Sequence, residues 1–337
     1  MKKKLTTFLT VVTMSTIHAQ KVYPTLGKIT QFDTTLGSLL PVDSRIEILS
    51  SGYVWSEGPI WNKKGKYLLF SDVPANTIFK WDESEGATVF LSPSGYTGLG
   101  EYSDEPGSNG LTINKKGELV ACEHGDRRVS SMSLTKGGKR TLADNYKGKR
   151  FNSPNDVVQH SGGAYYFTDP PYGLAKKDKD PSRELEFGVY RIGTDGEVTL
   201  VANDLIRPNG LAFSPDEKTL YVAQSHEESA IYMAYPVNED GSLGKGSIFF
   251  DATSMVKNEQ LTGLPDGMKI DKKGNLFATG PGGVLIISPA GKLLGRIEIG
   301  GGIPTSNCAW GDDGSTLYIT ADMYLCRVKT LTTGIGF

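Results

Sequence analysis

The chain has 337 residues, a formal net charge of −2 and 41 glycines. This length allows one large domain or two ordinary ones, and the near-neutral charge without a basic stripe argues against a nucleic-acid partner. Frequent glycines and turn dipeptides, with little helix-like apolar periodicity, predict an all-β protein built from many short strands.

The first nineteen residues differ from the rest of the chain. MKKK is followed by the apolar run LTTFLTVVTM and by IHAQ, which resembles a small-residue cleavage site with cutting after Ala19. This pattern predicts a secretory signal peptide over 1–19, too short to span a membrane as a mature helix; the alternative is a disordered N-terminus. No lipobox cysteine follows, so we expect a periplasmic or secreted mature chain, 20–337, without a membrane span.

A similar segment then occurs six times along the chain. Each has a polar residue, a short apolar strand, a Gly- or Asp-rich turn and a second strand. The segments begin at Ser56, Gly107, Ser153, Arg207, Leu264 and Thr305. A unit of several strands that repeats along the chain is typical of a β-propeller. Six units predict one six-bladed β-propeller over 20–337, with RIEILSS (45–51) completing the last blade. A β-sandwich or two barrels would not explain six hairpins in register.

In each segment the third residue, or in the first segment the second residue, carries a side-chain oxygen. These residues are Glu57, Asn109, Asn155, Asn209, Asp266 and Asn307, 41 to 57 residues apart. The first strand of a propeller blade lines the central channel, so we expect all six at one channel mouth. The alternative is that each only caps a turn.

A ring of carboxylate and amide oxygens without imidazole or thiolate suits a hard cation. Ca²⁺ tolerates irregular geometry and is the expected ion, Mg²⁺ or another divalent cation is the alternative, and Zn²⁺ would more usually take His or Cys.

The hairpin turns predict which residues face these positions across each blade. In an antiparallel pair the residue numbers of opposite residues have a constant sum. The predicted pairs are Glu57 with Asp72, Asn109 with His124, Asn155 with Asp169 and Asn209 with Gln224. His124 and Asp169 are therefore expected near the channel mouth, where His124 would relay a proton or serve as a hydrogen-bonded strand-end residue.

Three long connections, 91–108, 170–188 and 251–263, are predicted on the same face, where loops usually select the substrate. Tyr172 in the second loop is a candidate substrate contact. The three cysteines, Cys122, Cys308 and Cys326, lie inside predicted strands and are expected to be buried thiols, although one disulfide is possible in an exported protein.

The motifs SEGPIW, SPNDVV with YYFTDPPYG, RPNGLAFSPD and LPDGMKID resemble those of the gluconolactonase, senescence-marker-protein and luciferin-regenerating-enzyme family. CEHGDRRV resembles the bacterial gluconolactonase branch. The resemblance implies a six-bladed propeller with one catalytic divalent ion, commonly Ca²⁺. The family's metal-binding positions fall on Glu57, Asn155, Asn209 and Asp266.

The implied activity is hydrolysis of a small-molecule sugar lactone. Asp266 would take the proton of the attacking water, and His124 would pass a proton to the leaving oxygen. Asn109, Asn155, Asp169, Tyr172 and Asn307 would bind or orient the substrate. Hydrolysis of phosphotriesters or other esters, or ligand binding without catalysis, remain alternatives.

Overall fold

The computed structural model describes residues 21–337, so the predicted signal peptide over 1–19 lies outside the described residues. The described chain forms six antiparallel sheets arranged as blades in a ring, which confirms the predicted all-β, six-bladed propeller. The segment before the first blade supplies strands β1 and β2, Lys28–Gln31 and Ile46–Ser51.

The first three blades take four strands each from consecutive sequence. In blade one, β3 to β6 are Ser56–Asn62, Tyr67–Asp72, Thr77–Asp82 and Gly86–Leu91. In blade two, β7 to β10 are Ser108–Ile113, Glu118–Glu123, Arg128–Ser133 and Gly137–Ala143, and a small hairpin of β11 and β12, Asn145–Tyr146 and Lys149–Arg150, follows. In blade three, β13 to β16 are Val157–Gln159, Tyr165–Thr168, Val189–Ile192 and Val198–Ala202.

The last three blades complete the ring. In blade four, β17 to β20 are Pro208–Phe213, Thr219–Gln224, Ile231–Pro236 and Ser247–Asp251. In blade five, β21 to β24 are Met268–Ile270, Leu276–Gly280, Gly283–Ile287 and Leu293–Glu298. In blade six, β25 to β27 are Asn307–Gly311, Thr316–Ala321 and Tyr324–Lys329.

Blade six is closed by a strand from the other end of the chain. As predicted, β2 pairs antiparallel with β27, with Ile46 opposite Val328. The N-terminal segment also contributes β1 to the outer edge of blade five, with Lys28 opposite Glu298. The two pairings tie the beginning of the described chain to its last blades.

Helical structure is short. The described chain contains one α-helix, Thr253–Lys257, and two 3₁₀ helices, Thr34–Ser38 and Lys177–Lys179. Among residues 21–337, no helix is long and apolar enough to cross a membrane.

The hydrophobic core is divided between neighbouring blades, because each sheet packs its faces against the next. Leu68, Phe70 and Trp81 of blade one pack with Ala309, Tyr318 and Leu325 of blade six. Cys122, Cys308 and Cys326 are buried free thiols within these layers, so no disulfide links them.

Candidate active site and metal centre

A cavity of about 290 Å³ opens at one mouth of the central channel. Five of the six predicted ring positions line it, one from each of five blades: Glu57, Asn109, Asn155, Asn209 and Asp266. Each lies at or just before the start of an inner strand, so the repeat places their side chains around one axis.

Glycines after two of these residues allow the blades to meet closely. Gly58 has φ +50°, and a Cβ there would lie 2.0 Å from the carbonyl oxygen of Asn109 in the next blade. A Cβ at Gly210 would lie 2.3 Å from the carbonyl oxygen of Asp266. In the Asn209-Gly210 pair of blade four, the glycine thus allows neighbouring blades to approach closely near the axis and does not form a hairpin turn.

β-Bulges at the mouth shift the strand register by one residue in three blades, and in blade two the pairing at the mouth lies two residues from the predicted one. Glu57 faces Ser71 instead of Asp72, and Pro208 faces Gln224. In blade two Ser108 faces Glu123, so the predicted pairing of Asn109 with His124 is wrong. Blade three has no bulge between its first two strands, and Val157 faces Phe167 in the predicted register. Bulges next to active sites commonly re-aim a side chain in this way.

Glu57 and Asp266 place two carboxylates together with little exposure to water. Glu57 is 2% exposed, and its Oε2 accepts a hydrogen bond of 2.9 Å from the Gly58 amide. Burial raises the pKa of Glu57 to about 8, with a further contribution from the Asp156 carboxylate. Burial, and then repulsion by Glu57, also raise the pKa of Asp266 well above its usual range. The two groups favour a compensating positive charge between them.

The amide of Asn209 is oriented by a chain of hydrogen bonds. Ser225 Oγ donates to the Pro265 carbonyl oxygen and accepts from Asn209 Nδ2, the latter at 2.9 Å. Because the amide nitrogen is held on Ser225, Asn209 Oδ1 faces Asn155 at the cavity. The amide oxygen of Asn209, and not its nitrogen, is therefore the atom available to a cation once the Asn155 amide rotates.

Asn155 lies between Asn209 and His124. Its Nδ2 donates to Asn209 Oδ1 at 2.5 Å, and its Oδ1 lies 3.4 Å from His124 Nε2. His124 Nδ1 lies 3.2 Å from the Glu105 carbonyl oxygen, and burial lowers the pKa of the imidazole. His124 is fully buried and is not among the residues that line the cavity, so it contacts Asn155 and not the space for a substrate.

The donor set fits a hard divalent cation. It offers two carboxylates of raised pKa, the amide oxygen of Asn209 and, after rotation of its amide group, that of Asn155. Among residues 21–337, no group of three or more His, Cys, Asp or Glu side chains is arranged to hold a metal ion, so any ion here would depend on the amide oxygens as well as on the two carboxylates.

Two predicted substrate contacts, Asp169 and Asn307, do not line the cavity. Asp169 Oδ2 and Oδ1 accept hydrogen bonds of 2.8 Å from the amides of Asn152 and Ser153. Asp72 accepts from the amides of Val54 and Trp55 in the same way. Asp72 and Asp169 therefore fix the backbone segment that leads into the inner strand of their own blade, which is a structural role. Asn307 is buried, and its Oδ1 accepts a hydrogen bond of 2.9 Å from the Cys308 amide.

The predicted contact Tyr172 does line the cavity, as do four residues that the repeat did not single out: Trp55, Glu105, Arg207 and Thr305. Glu105 and Tyr172 lie in the loops 91–108 and 170–188, and Gly263 of 251–263 also reaches the cavity. The three loops predicted to surround the mouth thus all contribute to it.

This combination defines the class of protein: a six-bladed propeller with a carboxylate- and amide-lined cavity at one end of its channel. The sequence profile of the SMP-30/Gluconolactonase/LRE-like region matches residues 55–322, and the chain belongs to this family.

Similar proteins agree with this assignment. A gluconolactonase from Zymomonas mobilis is 43% identical over 314 residues, which cover 92% of this chain and 88% of that protein. A pentonolactonase from Haloferax volcanii is 27% identical, covering 78% of this chain and 80% of that protein. The solved structure of a gluconolactonase from Xanthomonas campestris is 31% identical, with a TM-score of 0.79, and covers 93% of this chain and 99% of that chain.

Proposed function

We propose that this protein is a carboxylic ester hydrolase that opens sugar lactones. The observation that carries the proposal is the meeting of Glu57, Asn155, Asn209 and Asp266 at one cavity, in a chain 43% identical to a gluconolactonase over nearly its whole length. The cavity of about 290 Å³ is at the small end of the range for ligand sites and suits a single ring.

The four residues would hold one divalent cation, Ca²⁺ by preference, since all their donors are oxygens and irregular geometry suits that ion. When bound, the cation supplies Lewis-acid polarisation of the lactone carbonyl. Mg²⁺ is the second choice because it requires a tighter octahedron.

The chain's own groups account for the proton transfers. Asp266, whose carboxylate lines the cavity, accepts a proton from the attacking water as the water oxygen bonds to the carbonyl carbon. As the bond from carbon to ring oxygen breaks, the same carboxyl returns the proton to the leaving oxygen. Asn109 lines the cavity and orients the water or a substrate hydroxyl. His124, which does not reach the cavity, orients Asn155, so we do not assign it the relay of a proton.

Acid release in a pH-stat tests the activity. D-Glucono-1,5-lactone and a panel of pentonolactones are measured above the spontaneous rate, beside a simple aryl ester and a phosphotriester. Turnover of the sugar lactones in preference to the other two supports the proposal. Preference for the aryl ester or the phosphotriester would assign the same site to that chemistry, and ligand binding without turnover would indicate a binding protein.

We further propose that the protein is exported, on the pattern of residues 1–19. Expression in a bacterium with a periplasm, followed by mass analysis of the intact protein, tests this. Cleavage after about Ala19 and recovery outside the cytoplasm are expected, and an uncleaved cytoplasmic chain would contradict export.

A further inference from the structure

Two hydroxyl groups at the cavity have no hydrogen-bond partner within the described part of the chain. They are Thr305 Oγ1 and Tyr172 Oη, both shielded from bulk water. Thr305 is only 2% exposed, yet it lines the cavity together with Tyr172. Buried polar groups in folded proteins are nearly always paired, so these two hydroxyls indicate a partner that enters from the cavity.

Besides Glu57 and Asp266, two further charged side chains line the cavity, and residues of the loop 170–188 hold both of them in place. Arg207 pairs with Asp178, and Glu105 Oε1 lies 3.4 Å from Lys177 Nζ. Lys177 and Asp178 are neighbours in the short helix Lys177–Lys179, so one piece of this loop reaches groups from two different blades. Half-exposed pairs of this kind add little stability. Their effect is to fix where the guanidinium and the carboxylate lie.

We propose that Thr305, Arg207 and Glu105 form a hydroxyl-recognition shell that restricts the site to polyhydroxylated lactones. The inference rests on the proposed lactonase function and assigns the residues that would select for the substrate's hydroxyls. Arg207 supplies donors, Glu105 supplies acceptors, and the hydroxyls of Thr305 and Tyr172 supply both. A sugar lactone matches these groups with its ring hydroxyls, whereas a lactone without hydroxyls leaves them unpaired as it excludes water. Sites built to hydrogen-bond a substrate hydroxyl reject the analogue that lacks it.

The test compares two lactones with the same six-membered ring. D-Glucono-1,5-lactone carries hydroxyls, and δ-valerolactone carries none. The ratio of their kcat/KM values is measured for the wild type and for Thr305→Val, Arg207→Met and Asp178→Asn. Arg140→Met and Lys179→Met are the controls. Arg140 lies on β10, the outer strand of blade two, where it pairs with Glu118, and Lys179 is an exposed lysine of the loop 170–188.

Thr305→Val is expected to lower the ratio about tenfold and Arg207→Met about tenfold to 100-fold, because a charged hydrogen bond is the stronger. Asp178→Asn should raise the KM for the sugar lactone alone. Thr305→Val removes an unpaired buried hydroxyl and retains the shape of the side chain, so its melting temperature should stay equal or rise. This result separates recognition from misfolding.

An equal loss on both lactones, or an unchanged ratio in both Thr305→Val and Arg207→Met, would overturn the shell and leave the lactonase function intact. Wild-type turnover of δ-valerolactone at the rate of the sugar lactone would also overturn the shell. Turnover of neither lactone would instead overturn the proposed function, and with it the shell.

Discussion

The side-chain amides of Asn155 and Asn209 meet at the channel mouth, with Asn155 Nδ2 2.5 Å from Asn209 Oδ1. On its other side Asn155 Oδ1 faces His124 Nε2. The Glu105 carbonyl oxygen beside Nδ1 can only accept, so a neutral His124 carries its proton on Nδ1, and Nε2 is an acceptor. Rotating the Asn155 amide lets Nδ2 donate to Nε2 and turns Oδ1 towards Asn209 Oδ1. Two such oxygens side by side are stable when a cation lies between them, so His124 favours the cation-binding orientation.

His124→Leu is therefore expected to weaken Ca²⁺ binding about tenfold, as the loss of a group behind a metal ligand commonly does, with a parallel loss of lactone hydrolysis. Calorimetric titration with Ca²⁺ measures the affinity directly. His160→Leu is the matched control, because His160 lies at the opposite end of its hairpin beside Glu217.

A different result would favour the proton relay. In that case His124→Leu would lower kcat more than tenfold with Ca²⁺ affinity unchanged. If His124→Leu changed neither Ca²⁺ affinity nor kcat, His124 would have no part in orienting Asn155 or in relaying a proton.

Glu57→Gln keeps the shape of the side chain and removes one of two repelling carboxylates. In EDTA the variant should be more stable than the wild type by about 1 kcal/mol or more, because burial and neighbouring charge oppose ionisation of Glu57. Its Ca²⁺ affinity should fall more than about 100-fold, which is more than is usually lost on removing a group that only hydrogen-bonds to a metal ligand.

Thermal unfolding in EDTA and in Ca²⁺ measures both effects of Glu57→Gln. Ca²⁺ at 100 times the wild-type Kd should stabilise the wild type by about 2.7 kcal/mol and the variant by about 0.4 kcal/mol or less. Glu85→Gln, on the exposed edge of blade one, should behave as the wild type. Equal stabilisation of Glu57→Gln by Ca²⁺ would exclude Glu57 as a ligand.

Asp169→Asn should lower the free energy of unfolding by about 1–3 kcal/mol, since the new amide NH₂ would face a buried backbone N–H donor at either oxygen position. Urea unfolding measures the loss, and KM for the sugar lactone should not change. Asp240→Asn is the control, because Asn accepts equally well in that exposed turn. A raised KM with unchanged stability would restore Asp169 as a substrate contact.

The fold was predictable because short stretches of the sequence specify the hairpins and the same pattern recurs along the chain. Each unit encodes its own hairpin, and strand Ile46–Ser51, which lies before the first unit, was predicted to complete the last blade. Strand Lys28–Gln31 was not predicted, since an outer edge strand with only one buried residue carries little periodic signal.

The site was predictable where it follows the repeat and not where it depends on tertiary contacts. Glu57 and Asp266 occupy equivalent repeat positions, whereas Arg207 reaches its place through Asp178 of a long loop. The bulge after Glu57 changed the cross-strand partner of this residue. The bulge could not be predicted, because an unpaired extra residue leaves the hydrophobic alternation of the hairpin intact. Thr305 begins the sixth repeat segment, but nothing in the sequence marks the first position of a segment as a substrate contact.

Hydrolysis of D-glucono-1,5-lactone in a pH-stat by protein treated with EDTA, and again after Ca²⁺ is restored, tests whether this cavity is a cation-dependent lactonase site. Loss of acid release in EDTA and its return with Ca²⁺, while Asp266→Asn stays inactive in both, is the predicted result. Undiminished hydrolysis in EDTA by protein shown to be free of metal would contradict it.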